Sequence, residues 1–310
     1  MNTLIDLESY PIADVLPTLL KDKTTKKNII WATDSYMNYG GAYKDTAQIT
    51  IVSLGLLPRG TLMPRVLKSS EQQSARTRAK AEVFTPSWIV NQMNNYADEE
   101  WFGHKGVFNT EAEHSWKTNH EEVMFPDDRT WKDYVLSKRL EITCGEAPFL
   151  VSRYDTTTGE ALDVYDRIGM LDRKLRVVAE NTDNKKDWMS WVTKAYQSTY
   201  GYEYQGDNLL LARINFIYTF VDYYEKKWGS LPDVSEIQKI ANIVVWNLWQ
   251  MDGLKGTIPG GALAVEFKQM SFDLFGDEKE ESPDADTPCQ IYDWRSRKTV
   301  LYINCSKEDI

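Results

Sequence analysis

Three short segments carry residue types that could do chemistry. The first is Leu140-Glu141-Ile142-Thr143-Cys144-Gly145-Glu146-Ala147-Pro148-Phe149-Leu150, a run that ends in an acid and then a turn of small residues. Gly145 and Ala147 let backbone approach a ligand closely, and the helix start expected after them would favour an anionic group. The second is Gly201-Tyr202-Glu203-Tyr204, with an acid at the end of an expected strand. A carboxylate there can accept both ribose hydroxyls of a nucleoside cofactor. The third is Gln250-Met251-Asp252-Gly253, whose Asp252 can accept a hydrogen bond from an adenine amino group. Taken singly, each has a plain structural reading: a small-residue turn, a surface Glu, an Asp-Gly turn. Their order and their common position at strand ends favour a joint site.

The elements that must hold these segments follow from hydrophobic period and turn chemistry. Residues 139–155 read as strand, tight turn and helix. Residues 84–102 read as a helix in which Thr85 caps and Pro86 takes the first helical position. Helices are expected over 188–200, over 207–228 with Asp207 as cap and Gly229 past the end, and over 234–242. A strand running into a loop is expected over 29–40, a strand over 47–57, a strand ending in a polar loop over 243–253, and a hairpin at 289–304 turning near Arg295–Lys298. The alternation from 139 to 253 predicts an α/β sheet of the doubly wound kind, with a ligand beyond the carboxyl ends of the strands at the switch point. Two units are expected: a mixed segment over 1–80 and a ligand-binding domain over 81–305.

Composition bounds the function. The chain has 310 residues and a net charge of −10, with 42% apolar and 26% charged residues. That is ordinary for a globular protein and excludes a collagen-like or wholly disordered chain. No apolar stretch approaches a membrane span, and the N-terminus lacks the pattern of a signal peptide. Cys144, Cys289 and Cys305 form no CxxC pair, which points to a reducing, cytoplasmic setting with neither zinc nor disulfide framework. His104, His114 and His120 are spaced too irregularly for a metal motif and read as surface loop residues. The acidic balance argues against non-specific coating of nucleic acid. A basic stretch over 59–80 overlaps a helix expected over 69–84 and holds Arg76, Arg78 and Lys80 as candidate contacts to DNA phosphate. An acidic stretch over 273–286 reads as a solvated loop.

These motifs together resemble the first motifs of N6-adenine DNA methyltransferases, the modification subunits and methylase domains of restriction–modification systems. The resemblance rests on Phe84-Thr85-Pro86, Cys144-Gly145-Glu146-Ala147-Pro148-Phe149, Glu203 and Asp252, and spans about residues 24–305, including KNIIWATD (27–34), GYEYQGDNLLLARIN (201–215) and IYDWRS (291–296). It implies a Rossmann-like fold that binds S-adenosylmethionine. By it, Phe84, Thr85 and Pro86 lie at the cofactor's amino-acid end, and Glu141, Thr143, Cys144, Gly145, Ala147 and Phe149 form the methionine-side turn. Glu203 would hold the ribose and Asp252 would read the adenine.

The chain departs from the family in two places. The turn usually runs acid-Pro-Ala-Cys-Gly-Ser-Gly, whereas Glu141-Ile142-Thr143 and Ala147 replace parts of it here; the Ala147 methyl sits where backbone should approach the ligand. The family's catalytic motif is Asn/Asp/Ser-Pro-Pro-aromatic, which accepts hydrogen bonds from the target adenine and stacks on the flipped base. Among 11 prolines there is no Pro-Pro pair. That motif would follow a segment like IYDWRSRKTVLYIN, so the expectation is a natural break between a cofactor-binding half and a catalytic half. A second methyltransferase subunit would then carry Asn-Pro-Pro-Tyr and bring in double-stranded DNA, and the chain alone would be inactive, with no catalytic residue of its own. The alternative is a non-catalytic methyltransferase-like protein that binds S-adenosylmethionine or DNA in regulation or defence. A third reading, a complete enzyme on another substrate, needs only an in-line nucleophile.

Overall fold

The structure is a computed structural model that describes residues 4–69, 73, 85–260 and 287–305. Phe84, Arg76, Arg78, Lys80 and the acidic stretch 273–286 lie outside the described residues.

The described chain is a mixed α/β fold around a small parallel sheet. Helices α1 (Ile12–Leu19), α2 (Ile51–Leu56) and α3 (Ser87–Phe102) precede a hairpin of β1 (Asn109–Ala112) and β2 (Ser115–Thr118), and then α4 (Trp131–Leu136). Strand β3 (Arg139–Glu141), helices α5 (Met170–Glu180) and α6 (Lys185–Gln197), β4 (Thr199–Glu203), α7 (Gly206–Trp228), α8 (Val234–Asn247) and β5 (Leu248–Gln250) follow. A second hairpin, β6 (Gln290–Asp293) and β7 (Lys298–Leu301), comes last and fulfils the expectation for 289–304. No described helix is long and apolar enough to cross a membrane.

Strands β3, β4 and β5 are parallel and adjacent in that order. Stepping one way across the sheet with right-handed crossovers places successive helix pairs on one face. The described strands therefore contain no reversal of direction, and no switch point falls between them. Alternation divides their side chains. Tyr200, Tyr202 and Trp249 face the final hairpin with Ile258, Cys289 and Ile291. Leu248 joins the large core built from α1 and α5 to α8. Residues 5–57 contribute to that same core through Ile12, Val15, Leu19, Trp31 and Ile49.

Local structure follows the sequence where one physical cause dominates. α7 spans Gly206–Trp228 and stops at Gly229, whose φ of 63° closes the end in the left-handed region. Its buried Arg213 donates to the carbonyls of Leu19, Lys21 and Leu248, which ties α1 to the entry of β5. Asp207 is not the cap: Gln205 holds that position, and Asp207 accepts from the Tyr36 hydroxyl at 2.8 Å. Likewise Pro86, not Thr85, is the N-cap of α3.

The expected strands at 29–40 and 47–57 are absent among the described residues. Only the Ile30–Gln48 bridge remains, and Thr50 with Ser53 forms a capping box that starts α2 instead. The strand expected at 243–253 shrinks to Leu248–Gln250, because Ile240, Ile243, Val244 and Asn247 keep a helical spacing that buries them in α8.

Candidate functional site

The helix expected immediately after the 141–150 turn is interrupted. Leu150 N and Val151 N donate to Ala147 O, beginning a helical turn. The chain then leaves on an excursion over 151–169. Met170 N donates to Phe149 O and Leu171 N to Leu150 O, so α5 resumes the ladder that the turn began. Ser152 Oγ closes the excursion by accepting from Ile168 N and Gly169 N, and its own N–H reaches Asp172. Only glycine fits at 169, since a Cβ there would lie 2.4 Å from Leu150 O.

The turn is backbone-dense. Thr143, Gly145 and Ala147 have φ of 49°, 54° and 65°, all left-handed. Cys144 N continues the sheet ladder by donating to Tyr202 O at 2.8 Å. Glu203, at the end of β4 and buried, accepts from Gly145 N at 2.9 Å and from Gln205 N at 3.0 Å. It thus pins the turn after β3 to the start of α7. Glu141 lies beside it; its Oε2 is sealed from solvent with no hydrogen-bond partner in the structure. Burial pushes the Glu141 carboxyl well above its ordinary value, the N–H groups of Phe149 and Leu150 oppose that, and Glu203 adds to it. Burial first, then both carboxylates, hold the Cys144 thiol protonated, so it packs rather than attacks.

Asp252 stands one strand further on. Met251 N donates to Glu203 O at 3.1 Å, and Asp252 pairs with Thr257. Asp252 Oδ1 accepts from Leu254 N and Lys255 N, which is turn chemistry. The structure therefore brings Glu141, Thr143, Cys144, Gly145, Ala147 and Glu203 together and sets Asp252 at the neighbouring strand end. Thr85 and Pro86 join less directly. Thr85 O accepts from Thr156 Oγ1, and Tyr154 on the same excursion donates to Glu146 Oε2 at 2.7 Å. Phe149 gives its carbonyl to Asn94 of α3 as well as to α5.

Two contributors were not singled out from the sequence. Gln250 accepts from Ile30 N at 3.0 Å and donates to Ile30 O and Tyr204 O, strapping KNIIWATD over the ends of β4 and β5. Gly206 lets that strap lie against α7: a Cβ there would sit 1.9 Å from Ile30 O. The adjoining GD of QGDN was the available signal, since glycine at a helix start marks a close backbone approach.

Elsewhere, a cavity of about 570 Å3 opens between α3 and β1, lined by Tyr96, Asp98, His104, Asn109, Glu111 and Arg173 among others. Its charges are spent on structure. Asp98 takes Arg173 at 2.5 Å and the Tyr134 hydroxyl at 2.9 Å. The three histidines are exposed, and no cluster of metal-ligating side chains occurs among the described residues. In comparison with known proteins, no family model, no curated protein and no solved structure matches the chain.

Proposed function

We propose that this chain is the S-adenosylmethionine-binding subunit of a split N6-adenine DNA methyltransferase of restriction–modification type, built on a Rossmann-like methyltransferase sheet. The reading is carried by one observation. The 141–150 turn, Glu203 and Asp252 sit at the same ends of three adjacent parallel strands, in chain order. In this reading the Glu203 carboxylate, at the end of β4, holds the ribose hydroxyls. Asp252 turns from its loop to an adenine amino group, and Glu141 meets the amino group of the methionine part. A partner chain supplies Asn-Pro-Pro-Tyr and stacks the flipped base. Cytoplasmic location fits a sparse set of three cysteines with no CxxC pair.

The test has two parts. Titration calorimetry of the full chain with S-adenosylmethionine should give saturable heat, weakened at least tenfold in Glu203→Gln. A DNA methylation assay should give product only when this chain and its methylase-like neighbour are combined. Absence of heat, or product from either chain alone, overturns the reading. One observation favours the non-catalytic alternative: the chain has no Pro-Pro pair and so no Asn-Pro-Pro-aromatic motif. Saturable heat without product in any combination would select it.

A further inference from the structure

The described surface holds a cationic cluster that no part of the cofactor site uses. Lys21, Lys23, Lys26 and Lys27 crowd one turn, and Arg295, Arg297 and Lys298 crowd the tip of the β6–β7 hairpin. The two turns are neighbours in space. Thr24 Oγ1 accepts from Gln290 N at 3.0 Å, which fastens the lysine turn to β6. Lys23 Nζ and Lys26 Nζ stand 5.6 and 5.5 Å from the Trp246 ring centre. Trp246 in turn lies 5.3 Å from Tyr292, which leads into the hairpin tip.

Two acids, Asp22 and Asp293, stand among the seven cations and leave the cluster positive. Asp22 is buried and accepts from Thr24 N and Thr25 N, closing its own turn. Asp293 accepts from Arg295 N and Ser296 N in the same way. Among the described residues, none of the seven cations forms an ion pair. Burial first, and then the charges of Lys26 and Arg213, lower the Lys23 ammonium. In a chain of net charge −10, such a cluster is a local positive field that attracts phosphate and other anions.

We propose that the lysine turn and the hairpin tip, with the Trp246–Tyr292 floor between them, form a surface for the phosphate backbone of duplex DNA. Charge argues against a protein occupant: the core of a protein interface is depleted of charged residues, whereas seven cations line this surface. Protein–DNA interfaces are instead polar and strongly positive. Contacts of this type position a duplex and carry no sequence information. The surface lies near the start of β5, whereas the candidate cofactor site lies beyond its end, so it would grip DNA flanking a target base. The choice of duplex DNA rests on the proposed function; the cationic geometry does not.

The experiment uses the full chain without cofactor and a fluorescent duplex of arbitrary sequence. Fluorescence anisotropy is followed over a salt series. The wild type should bind with a steep salt dependence. Lys23→Ala/Lys26→Ala/Arg295→Ala/Arg297→Ala should bind at least tenfold more weakly at low salt, with a slope smaller by about three to four. Lys26→Glu alone should weaken binding in the same direction, and unchanged circular dichroism shows that each variant folds. A control that removes equal charge elsewhere, Lys105→Ala/Lys117→Ala/Lys132→Ala/Lys186→Ala, should keep the wild-type slope. Equal losses in the control, no binding by the wild type, or variants that lose an acidic protein partner while keeping duplex affinity would each overturn the proposal. Cofactor heat is measured separately, so failure here and failure of the cofactor reading are distinguishable.

Discussion

The two edges of the parallel sheet are finished in opposite ways. On the β5 side, Gln250 is strapped to Ile30, Cys289 Sγ donates to Gln250 O, and Cys289 N donates to Gly256 O. On the β3 side, Arg139 N donates to Ser198 O beyond the start of β4, and alternation turns the Leu140 N–H and C=O outward. No strand among the described residues pairs with them. Exposed apolar side chains flank that edge: Leu136 is 48% and Ile142 62% accessible. An edge with apolar flanks is a template for a further strand. The contrast teaches where a partner would enter, since β3 is also the strand whose end carries the candidate turn.

The largest expected effect lies on the closed edge. Gln250→Ala strands Ile30 N, Ile30 O and Tyr204 O, three groups it now satisfies. Each such loss costs about 1 kcal/mol or more, so unfolding stability should fall by about 3 kcal/mol. Urea titration reads this as a lower midpoint at constant slope. A loss within experimental error would mean that the KNIIWATD strap is held by something other than Gln250. On the open edge the same logic predicts the reverse pattern. Ile142→Lys should change stability by less than about 0.5 kcal/mol, because the side chain is largely in solvent. Association with the methylase-like partner should nevertheless weaken tenfold or more, since a lysine at an edge discourages pairing. Leu254→Lys, beyond the end of β5, should leave association unchanged. Equal effects of both substitutions would remove the distinction between the edges.

A pH test sharpens the link between β3 and its turn. The Glu141 carboxyl is raised in the folded chain by burial, and its ordinary value is 4.5. Its contribution to stability is therefore fully present below that value and is lost as pH rises through the folded value. Glu141→Gln keeps an acceptor for the N–H groups of Phe149 and Leu150 without the charge. Its stability should match the wild type in acid and exceed it at neutral pH, measured by thermal unfolding across pH. A wild-type advantage at neutral pH would show that the ionised carboxylate is the favoured form.

Legibility in the sequence tracks the number of competing causes. The helix over 207–228 was readable because apolar period and Gly229 agree. The final hairpin was readable because alternation and a polar turn agree. The 47–57 segment was not, because Thr50 and Ser53 decide a helix start that overrides local alternation. In the site, the three strand-end motifs were visible as short segments. The excursion over 151–169 was not, because its closure depends on Ser152 and Asp172 meeting twenty residues apart. Nor could Gln250 be singled out, since its partner Ile30 lies 220 residues away. The cationic cluster escaped for the same reason: each turn is unremarked alone, and only folding joins them.

The smallest effects separate two residues of the turn that share a backbone conformation. Thr143 and Ala147 both sit at positive φ, a region that disfavours a β-carbon by about 1–2 kcal/mol. Thr143 is exposed and β-branched, and its hydroxyl bonds only the neighbouring Ile142 carbonyl at 2.7 Å. Thr143→Gly should therefore stabilise the chain by about 0.5–1 kcal/mol, the strain relief being offset in part by the greater freedom of unfolded glycine. Ala147 is fully buried, so Ala147→Gly also forfeits a packed methyl group, worth about 0.8 kcal/mol. Strain relief and lost packing then nearly cancel, and the thermal midpoint should stay close to that of the wild type. If Ala147→Gly stabilises as much as Thr143→Gly, the methyl packs poorly and the turn is strained for a reason other than folding. That outcome would move the cause to the ligand side, where glycine should then also tighten S-adenosylmethionine binding.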